Sequence, residues 1–388
     1  MSGAPLARLS LFYALYFGVI AIMIAWQAPY FSSLGLSPTD IGWLLGMAGG
    51  LKVVSPLLWG WIGDHMHQRI WIVRLGACLC VASILWLPFV SSFWTLAAVL
   101  CTFSFFWDAI LSQFDAVTFE HLGDDGRVWY PRIRGLGSAG FVVMAFASGY
   151  WFEWFPIGHW PWGMLALVVV LAAVSLTVPG RLVKVDDAAP ATGFVAMVMA
   201  PAVLSFLVAA FLIKVSTAPL NVFFTLYAMQ NGHSQWIAGS LWGLGVVIEV
   251  VILVFNSHRL ARYAPGRLML LALAVAMLRW PLIAWGIESL GLMVFASMLH
   301  GITFGVFHAG AMEFLRQQFP RRQLGRGIAL YSTLGFGLAN MIGAPVSGYL
   351  YQSGGGQLAF MVATVVATIG FMLLYWQLNR APQESRAH

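Results

Sequence analysis

Twelve apolar runs of about 20 residues, separated by short polar breaks, leave this chain few ways to fold. A helix rises 1.5 Å per residue, so ~20 residues cross the ~30 Å hydrocarbon core of a bilayer. In that medium every backbone N–H and C=O must be paired inside the protein, and runs of this length satisfy the requirement as helices. The runs cover residues 9–31, 39–61, 70–90, 94–119, 135–153, 161–179, 202–229, 235–256, 268–286, 290–314, 327–351 and 357–379. The expected fold is therefore an all-α membrane protein of twelve transmembrane helices, with the lipid bilayer as its surroundings. Composition agrees, since 60% of residues are hydrophobic and only 9% charged, which no soluble domain of this length matches. The first run is too long for a removed leader and lacks a small-residue cleavage site, so it is expected to stay as the first span.

The longest polar break, 179–193, carries Arg181, Lys184, Asp186 and Asp187 and falls at the midpoint. It is expected to divide an N-terminal six-helix bundle (1–179) from a C-terminal one (201–388), with 180–200 as a cytoplasmic linker. The halves repeat each other. Residues 12–57 lie over 209–254, so that Tyr30 matches Tyr227, Gly35 Gly232, Ser37 Ser234, Gly42 Gly239, Gly46 Gly243, and Val53-Val54 Val250-Val251. Two copies of one helical half, enclosing ionisable residues at matched depths, are the sequence pattern of an alternating-access transporter. One matched pair is opposite in charge: Lys52 falls on Glu249.

Lys and Arg gather on the cytoplasmic side of a membrane. Arg8, Arg69, Arg127 and Arg132, Arg181 and Lys184, Arg259 to Arg267, Arg316 to Arg326, and Arg380 and Arg386 lie at alternate breaks or ends. The breaks between them, at 32–38, 90–93, 154–160, 231–234, 287–289 and 352–356, contain neither residue. Both termini are expected to be cytoplasmic, in a multi-pass protein of the bacterial inner membrane. This bias accounts for the net charge of +6 and leaves a nucleic-acid partner nothing to explain. Cys78, Cys80 and Cys101 fall within spans and are read as buried thiols.

An ionisable side chain at bilayer depth is costly and normally faces a cavity or a partner. Lys52, Asp108, Asp115, Glu120, Lys214, Glu249, Arg279 and Glu313 qualify, joined by His300 and His308. Asp108 and Asp115 are seven apart, about two turns, and share one helix face. A second register lays Phe114-Asp115-Ala116 over Phe307-His308-Ala309 and Glu120 over Glu313. Structural ion pairs are the competing reading, the better one for Arg279, Glu120 and Glu313 taken singly. For the whole set it is the weaker, because a purely structural bundle is more cheaply built from apolar residues. His300 and His308, eight apart with no carboxylate or thiol at ligand spacing, do not form a metal pattern. Gly42, Gly46 and Gly50, with Gly239 and Gly243, suit close helix packing, and Pro29, Pro56, Pro219, Pro281 and Pro345 can kink or hinge their spans.

The string GWIGDHMHQR between the second and third runs resembles the cytoplasmic loop signature of the major facilitator superfamily. Gly60, Asp64 and Arg69 match it, whereas His67 replaces the usual second glycine and Gln68 a basic residue. The resemblance implies two pseudo-symmetric six-helix bundles and a conformational latch at Gly60, Asp64 and Arg69. Within the superfamily the chain is similar to the 3-phenylpropionate:proton symporter family, related to the lactose permease group. LWGLGVVIEVV (241–251), LRW (278–280), LHGITFGVFHAGAM (299–312), YSTLGFG (331–337) and GYLYQ (348–352) carry that likeness. YPRIRGLGSAGF (130–141) places Arg132 and Arg134 where the sugar symporters carry a paired arginine, and Asp115 near their helix 4 carboxylate. Asp108 has no counterpart in that pattern.

What the resemblance implies, and the residues allow, is uptake of a small aromatic carboxylate, such as 3-phenylpropionate, together with a proton. Lys52, Lys214 and Arg134 can meet the carboxylate, with Asp115 beside them. Trp26, Trp107, Phe114, Phe223, Phe224 and Tyr227 can line the ring site. Glu249 is the first choice for the proton, with Asp108, His300, His308 and Arg279 as further coupling residues. No cofactor and no metal are expected, the proton gradient being the driving force, and the working unit is expected to be a monomer. A proton-coupled sugar or nucleoside symporter, or a proton-driven exporter of small organic compounds, shares most of these features. An integral membrane enzyme would need neither the matched halves nor the latch.

Overall fold

The computed structural model describes residues 3–66, 68–181 and 193–384. His67, most of the expected linker and the side chain of Asp64 lie outside what is described. Among the described residues there is no strand. Ten helical spans are α1 (Leu6–Ser33), α2 (Pro38–Gly63), α3 (Ile70–Phe89), α4 (Phe93–Leu122), α5 (Trp129–Trp154), α6 (Ile157–Thr177), α7 (Pro201–Gln230), α8 (Gln235–Leu260), α9 (Pro265–Gly286) and α10 (Leu290–Gln318). A last apolar run, Gln323–Arg380, holds 58 residues and would reach about 87 Å if straight, far more than a bilayer needs. It is broken at Gly354 and Gly355, whose backbones leave the helical region, Gly355 at φ +67°. Two spans result, α11 (323–353) and α12 (356–380), giving twelve candidate crossings among the described residues, as the apolar runs predict.

The spans pack into two compact units, Met1–Asp187 with His233–Gly243, and Ala188–Gly232 with Leu244–His388. In the first, α1 packs on α5 and α6, while α4 packs on α2 and α3. Lipid is as apolar as leucine, so helices associate through close approach and interhelical hydrogen bonds. A Cβ at Gly140 would run into the Ala14 carbonyl, which is why α1 and α5 can touch backbone to backbone. The Trp26 indole donates to Ser148 Oγ at 2.8 Å and the Trp160 indole to the Ile22 carbonyl at 2.9 Å, fixing α1 against α5 and α6.

In the second unit, α9 lies against α10 and α12, and α7 against α11 and α12. Phe206, Met269, Phe307, Leu315 and Tyr331 form part of its buried core. The internal repeat reappears as local geometry. Gly35 and Gly232 both turn the chain in the left-handed region, at φ +85° and +86°, after the first helix of each repeat. Ser37 then caps α2 in a reciprocal box with Asp40, and Ser234 Oγ accepts from the Ile237 amide at 3.3 Å in front of α8.

Candidate functional site

Lys214 stands in the last turn of Pro201–Ser216, the first half of α7, which ends where Pro219 begins a new helical segment. Free carbonyls at a helix C-terminus favour a cation there. Its ammonium lies 4.0 Å from the ring centroid of Phe304 and 4.3 Å from that of Phe336. Each ring occupies the fourth position of a six-residue π-helical turn, Gly301–Val306 in α10 and Thr333–Leu338 in α11. Such widened turns re-aim side chains and recur at functional sites. Among the described residues, Lys214 makes no ion pair.

Three glycines set the opposite wall. A Cβ at Gly301 would meet the Glu249 backbone N at 3.0 Å, one at Gly305 the Glu249 Cγ at 2.9 Å, and one at Gly245 the His300 Cβ at 3.1 Å. This approach of α8 to α10 leaves Glu249 Oε2 3.8 Å from His300 Nε2, a separation too long for a hydrogen bond. His300 Nδ1 is 3.2 Å from an Arg279 Nη1. A guanidinium only donates, so Nδ1 accepts and the neutral imidazole carries its proton on Nε2, towards Glu249. Arg279 is buried and also donates to Thr303 Oγ1 at 2.9 Å and the Ala296 carbonyl at 2.8 Å. Gly301→Ala should push α8 from α10 against main chain, at an overpacking cost of about 1–3 kcal/mol. Its uptake in vesicles should fall at least about tenfold, while Gly305→Ala, facing only the flexible Glu249 and Leu253 side chains, should lose less; equal rates for the wild type and Gly301→Ala would refute this.

The first unit holds further charge groups among its described residues. Lys52 Nζ lies 3.8 Å from Asp108 Oδ1. Asp115 accepts a 2.5 Å bond from the Tyr13 hydroxyl, and Arg134 lies over the rings of Phe17 (4.1 Å) and Tyr13 (5.5 Å). Tyr130 interacts with both Asp115 and Arg134. Asp108 and Asp115 thus share a helix but not a partner. Glu120 pairs with Arg69 at 3.6 Å, and Glu313 with Arg316 one turn on.

Trp26, Trp107, Phe114, Phe223 and Tyr227 are all buried. Trp107 stacks on Tyr16 at 4.3 Å, Phe114 on Phe12 at 3.6 Å and Phe223 on Tyr351 at 4.5 Å, while the Tyr227 hydroxyl donates to the Ala284 carbonyl. Phe304 stacks between His300 and His308, at 5.5 Å and 6.2 Å, so a phenyl ring separates the two imidazoles. His308 Nδ1 lies 3.4 Å from the Tyr331 hydroxyl. Of the latch residues, Gly60 lies within α2 and Arg69 reaches Glu120; Asp64's side chain is outside the described residues. Phe304, Phe336, Thr303, Tyr13 and Tyr130 carry no formal charge, so charge at depth does not mark them in the sequence. A faint signal exists for the first two, the Phe-Gly doublets at 304–305 and 336–337. Among the described residues, no cluster of His, Cys, Asp or Glu could hold a metal ion. A cavity of about 380 Å³ opens between α1 and α5, but Leu11, Ala14, Val143 and Met144 line it and no charged group does.

Twelve spanning helices in two units, with charged side chains held at bilayer depth, define a multi-pass membrane transporter of the major facilitator type. The chain belongs to the MFS_1 like family, whose model matches residues 6–362. It is 26% identical to a probable 3-phenylpropionic acid transporter of Escherichia coli (strain K12), over 94% of this chain and 96% of that protein. It is 23% identical to a maltose permease of Geobacillus stearothermophilus, over 96% and 95%. A crystal structure of a mutant of the nucleoside transporter NupG superposes with a TM-score of 0.86 at 16% identity, covering 96% of this chain and 99% of that one. The protein is a membrane transporter and not an enzyme.

Proposed function

We propose that the protein carries a small aromatic carboxylate, of the 3-phenylpropionate type, into the cell together with protons. The observation that supports this best is the Lys214 ammonium resting between two phenyl rings beside Glu249. A cation–π contact is worth about 0.5–2 kcal/mol, whereas a hydrogen bond to a charged group reaches about 1.5–3. An incoming carboxylate therefore takes the ammonium, and its ring has Phe304 and Phe336 to pack on. The similarity to the probable 3-phenylpropionic acid transporter points the same way.

Glu249 couples the proton to this step. Lys214 and Glu249 act on each other electrostatically, so an ionised Glu249 competes with substrate for a cation that makes no ion pair among the described residues. Protonation of Glu249 removes the competitor, and the substrate anion then restores the charge lost. Arg279 holds His300 in one tautomer with its Nε2 proton facing Glu249. In the first unit we keep a substrate role for Asp115 and Arg134, tied to Tyr13 and Phe17, and a latch role for Arg69 with Gly60 and Asp64. We place both termini in the cytoplasm of a bacterial inner membrane: Arg8 and Arg181 bind the terminal carbonyls of α6 and α4, keeping basic charge at those helix ends. One chain holds both units, and the monomer is the proposed working form.

Membrane vesicles with the interior alkaline should accumulate labelled 3-phenylpropionate, saturably and only while the gradient lasts. Failure to accumulate any aromatic acid, with saturable maltose or nucleoside uptake instead, would overturn the substrate assignment. Gradient-driven extrusion would reverse the direction.

A further inference from the structure

The first unit contains a titratable pair that the mechanism above leaves unused. Asp108 sits in the middle of α4 with its side chain 6% exposed, one oxygen 3.8 Å from Lys52 Nζ and the other, Oδ2, without a hydrogen-bond partner. The remaining neighbours bring it no second cation among the described residues. The α3 helix offers the Cys80 thiol and α1 the Tyr16 hydroxyl. On α5, Arg134 lies over Phe17 and Tyr13, and on α4 itself Asp115 is taken by Tyr13. A carboxylate buried at bilayer depth with one loose partner is poorly compensated as an anion. Lys52 is the mobile member, since its side chain is 42% exposed on a flexible four-carbon stem. If Lys52 swung away, the Asp108 anion left behind would be neutralised by taking up a proton, and the return of Lys52 would release it.

The internal repeat supplies an independent reason. Lys52 matches Glu249, and the register of the fourth and tenth helices lays Trp107-Asp108 over His300-Gly301. The same pair of helices in each unit thus holds one acid and one base, with their sides exchanged: base on α2 and acid on α4, acid on α8 and base on α10. We propose that Asp108 and Lys52 form a second proton site, separate from Glu249, so that two protons enter with each monocarboxylate and one net positive charge crosses the membrane. This rests on the reading that a monocarboxylate is carried with the Glu249 proton. Accumulation then follows about a hundredfold per unit of pH gradient, against about tenfold for one proton.

Full-length protein in proteoliposomes tests the proposal. An inside-negative potassium diffusion potential, without a pH gradient, should drive 3-phenylpropionate uptake by the wild type. Asp108→Asn should lose that response yet still take up substrate under a pH gradient, and Asp108→Glu should restore it. Voltage-insensitive uptake by the wild type, or an undiminished voltage response in Asp108→Asn, overturns the second site. A pH jump on substrate-free protein held on a solid-supported membrane reads the same groups without any substrate. The wild-type charge displacement should lose one component in Asp108→Asn and another in Glu249→Gln. A displacement unchanged by Asp108→Asn refutes the second site even if 3-phenylpropionate proves not to be carried, which would be the separate failure of the substrate reading.

Discussion

Glu249→Gln should remove the Glu249 titration from the pH dependence of substrate affinity and take away one proton's share of accumulation, while exchange of substrate for substrate continues. The glutamine keeps the size and polarity that α8 needs against Gly301 and Gly305, so packing is not the variable. What it removes is the ionised competitor for Lys214. In the wild type, deprotonation of Glu249 sets an anion against the substrate carboxylate, and affinity falls as pH rises through that titration, by about tenfold per unit once the anionic form dominates. With glutamine that competitor is absent, so binding no longer weakens through the Glu249 titration. Thermodynamics then fixes the transport result. Each coupled proton contributes about 1.36 kcal/mol per pH unit, about a tenfold accumulation. If Glu249 carries the only coupled proton, accumulation vanishes; with Asp108 carrying another, half of its logarithm remains. Equilibrium binding at several pH values and counterflow in proteoliposomes measure both quantities. Wild-type accumulation with wild-type pH dependence in Glu249→Gln would remove Glu249 from coupling.

The spans and their repeat could be read from the sequence because a bilayer imposes one severe rule, that the backbone bond to itself within each crossing. Gly35 and Gly232 show how far this went: the register found between the halves lands on two left-handed turns of nearly equal φ. The break at Gly354 and Gly355 falls in the polar gap the sequence leaves before its last run, although the helix continues on both sides. Charged site residues were equally visible, since Lys214, Glu249, Arg279 and His300 stand out against apolar neighbours and the fold gathers them in one unit.

Their partners were not visible, for physical reasons. Phe304 and Phe336 are two of 28 phenylalanines, and nothing in composition separates a ring that holds an ammonium from one that packs a core. A π-helical turn leaves no periodic trace over six residues, so the alignment of both rings on Lys214 emerges only in three dimensions. The same limit governs Trp26, Trp107, Phe114, Phe223 and Tyr227: helical spacing says that they share faces, not whether a face meets a cavity or another helix. Lys52 reads as a solitary cation in α2 until α4 is packed against it and Asp108 occupies it. Two histidines eight apart suggest a relay, and the side chain that decides, Phe304 between them, is apolar.

Lys214→Met should weaken binding of 3-phenylpropionate by about ten- to a hundredfold, the loss of roughly 1.5–3 kcal/mol from one charge-assisted contact. Methionine nearly matches the lysine stem in length and packs favourably against aromatic rings, so Phe304 and Phe336 keep a neighbour and the core of the second unit is undisturbed. The substitution thus deletes charge with little change of shape. Arginine at the same place keeps the charge but spreads it over a planar fork, which does not sit between two rings as a point ammonium does, and should recover only part of the affinity. An uncharged analogue with the same ring, 3-phenylpropanol, distinguishes the two halves of recognition. It should bind weakly to the wild type and no worse to Lys214→Met, because it never used the ammonium. Phe304→Leu should show the opposite preference, weakening acid and alcohol alike through the lost ring contact. Binding isotherms for both ligands on purified variants, with thermal unfolding to confirm that each is folded, provide the comparison. Acid affinity within about twofold of wild type in a folded Lys214→Met protein would place the carboxylate elsewhere, since so small a change is below what losing any buried charge contact costs.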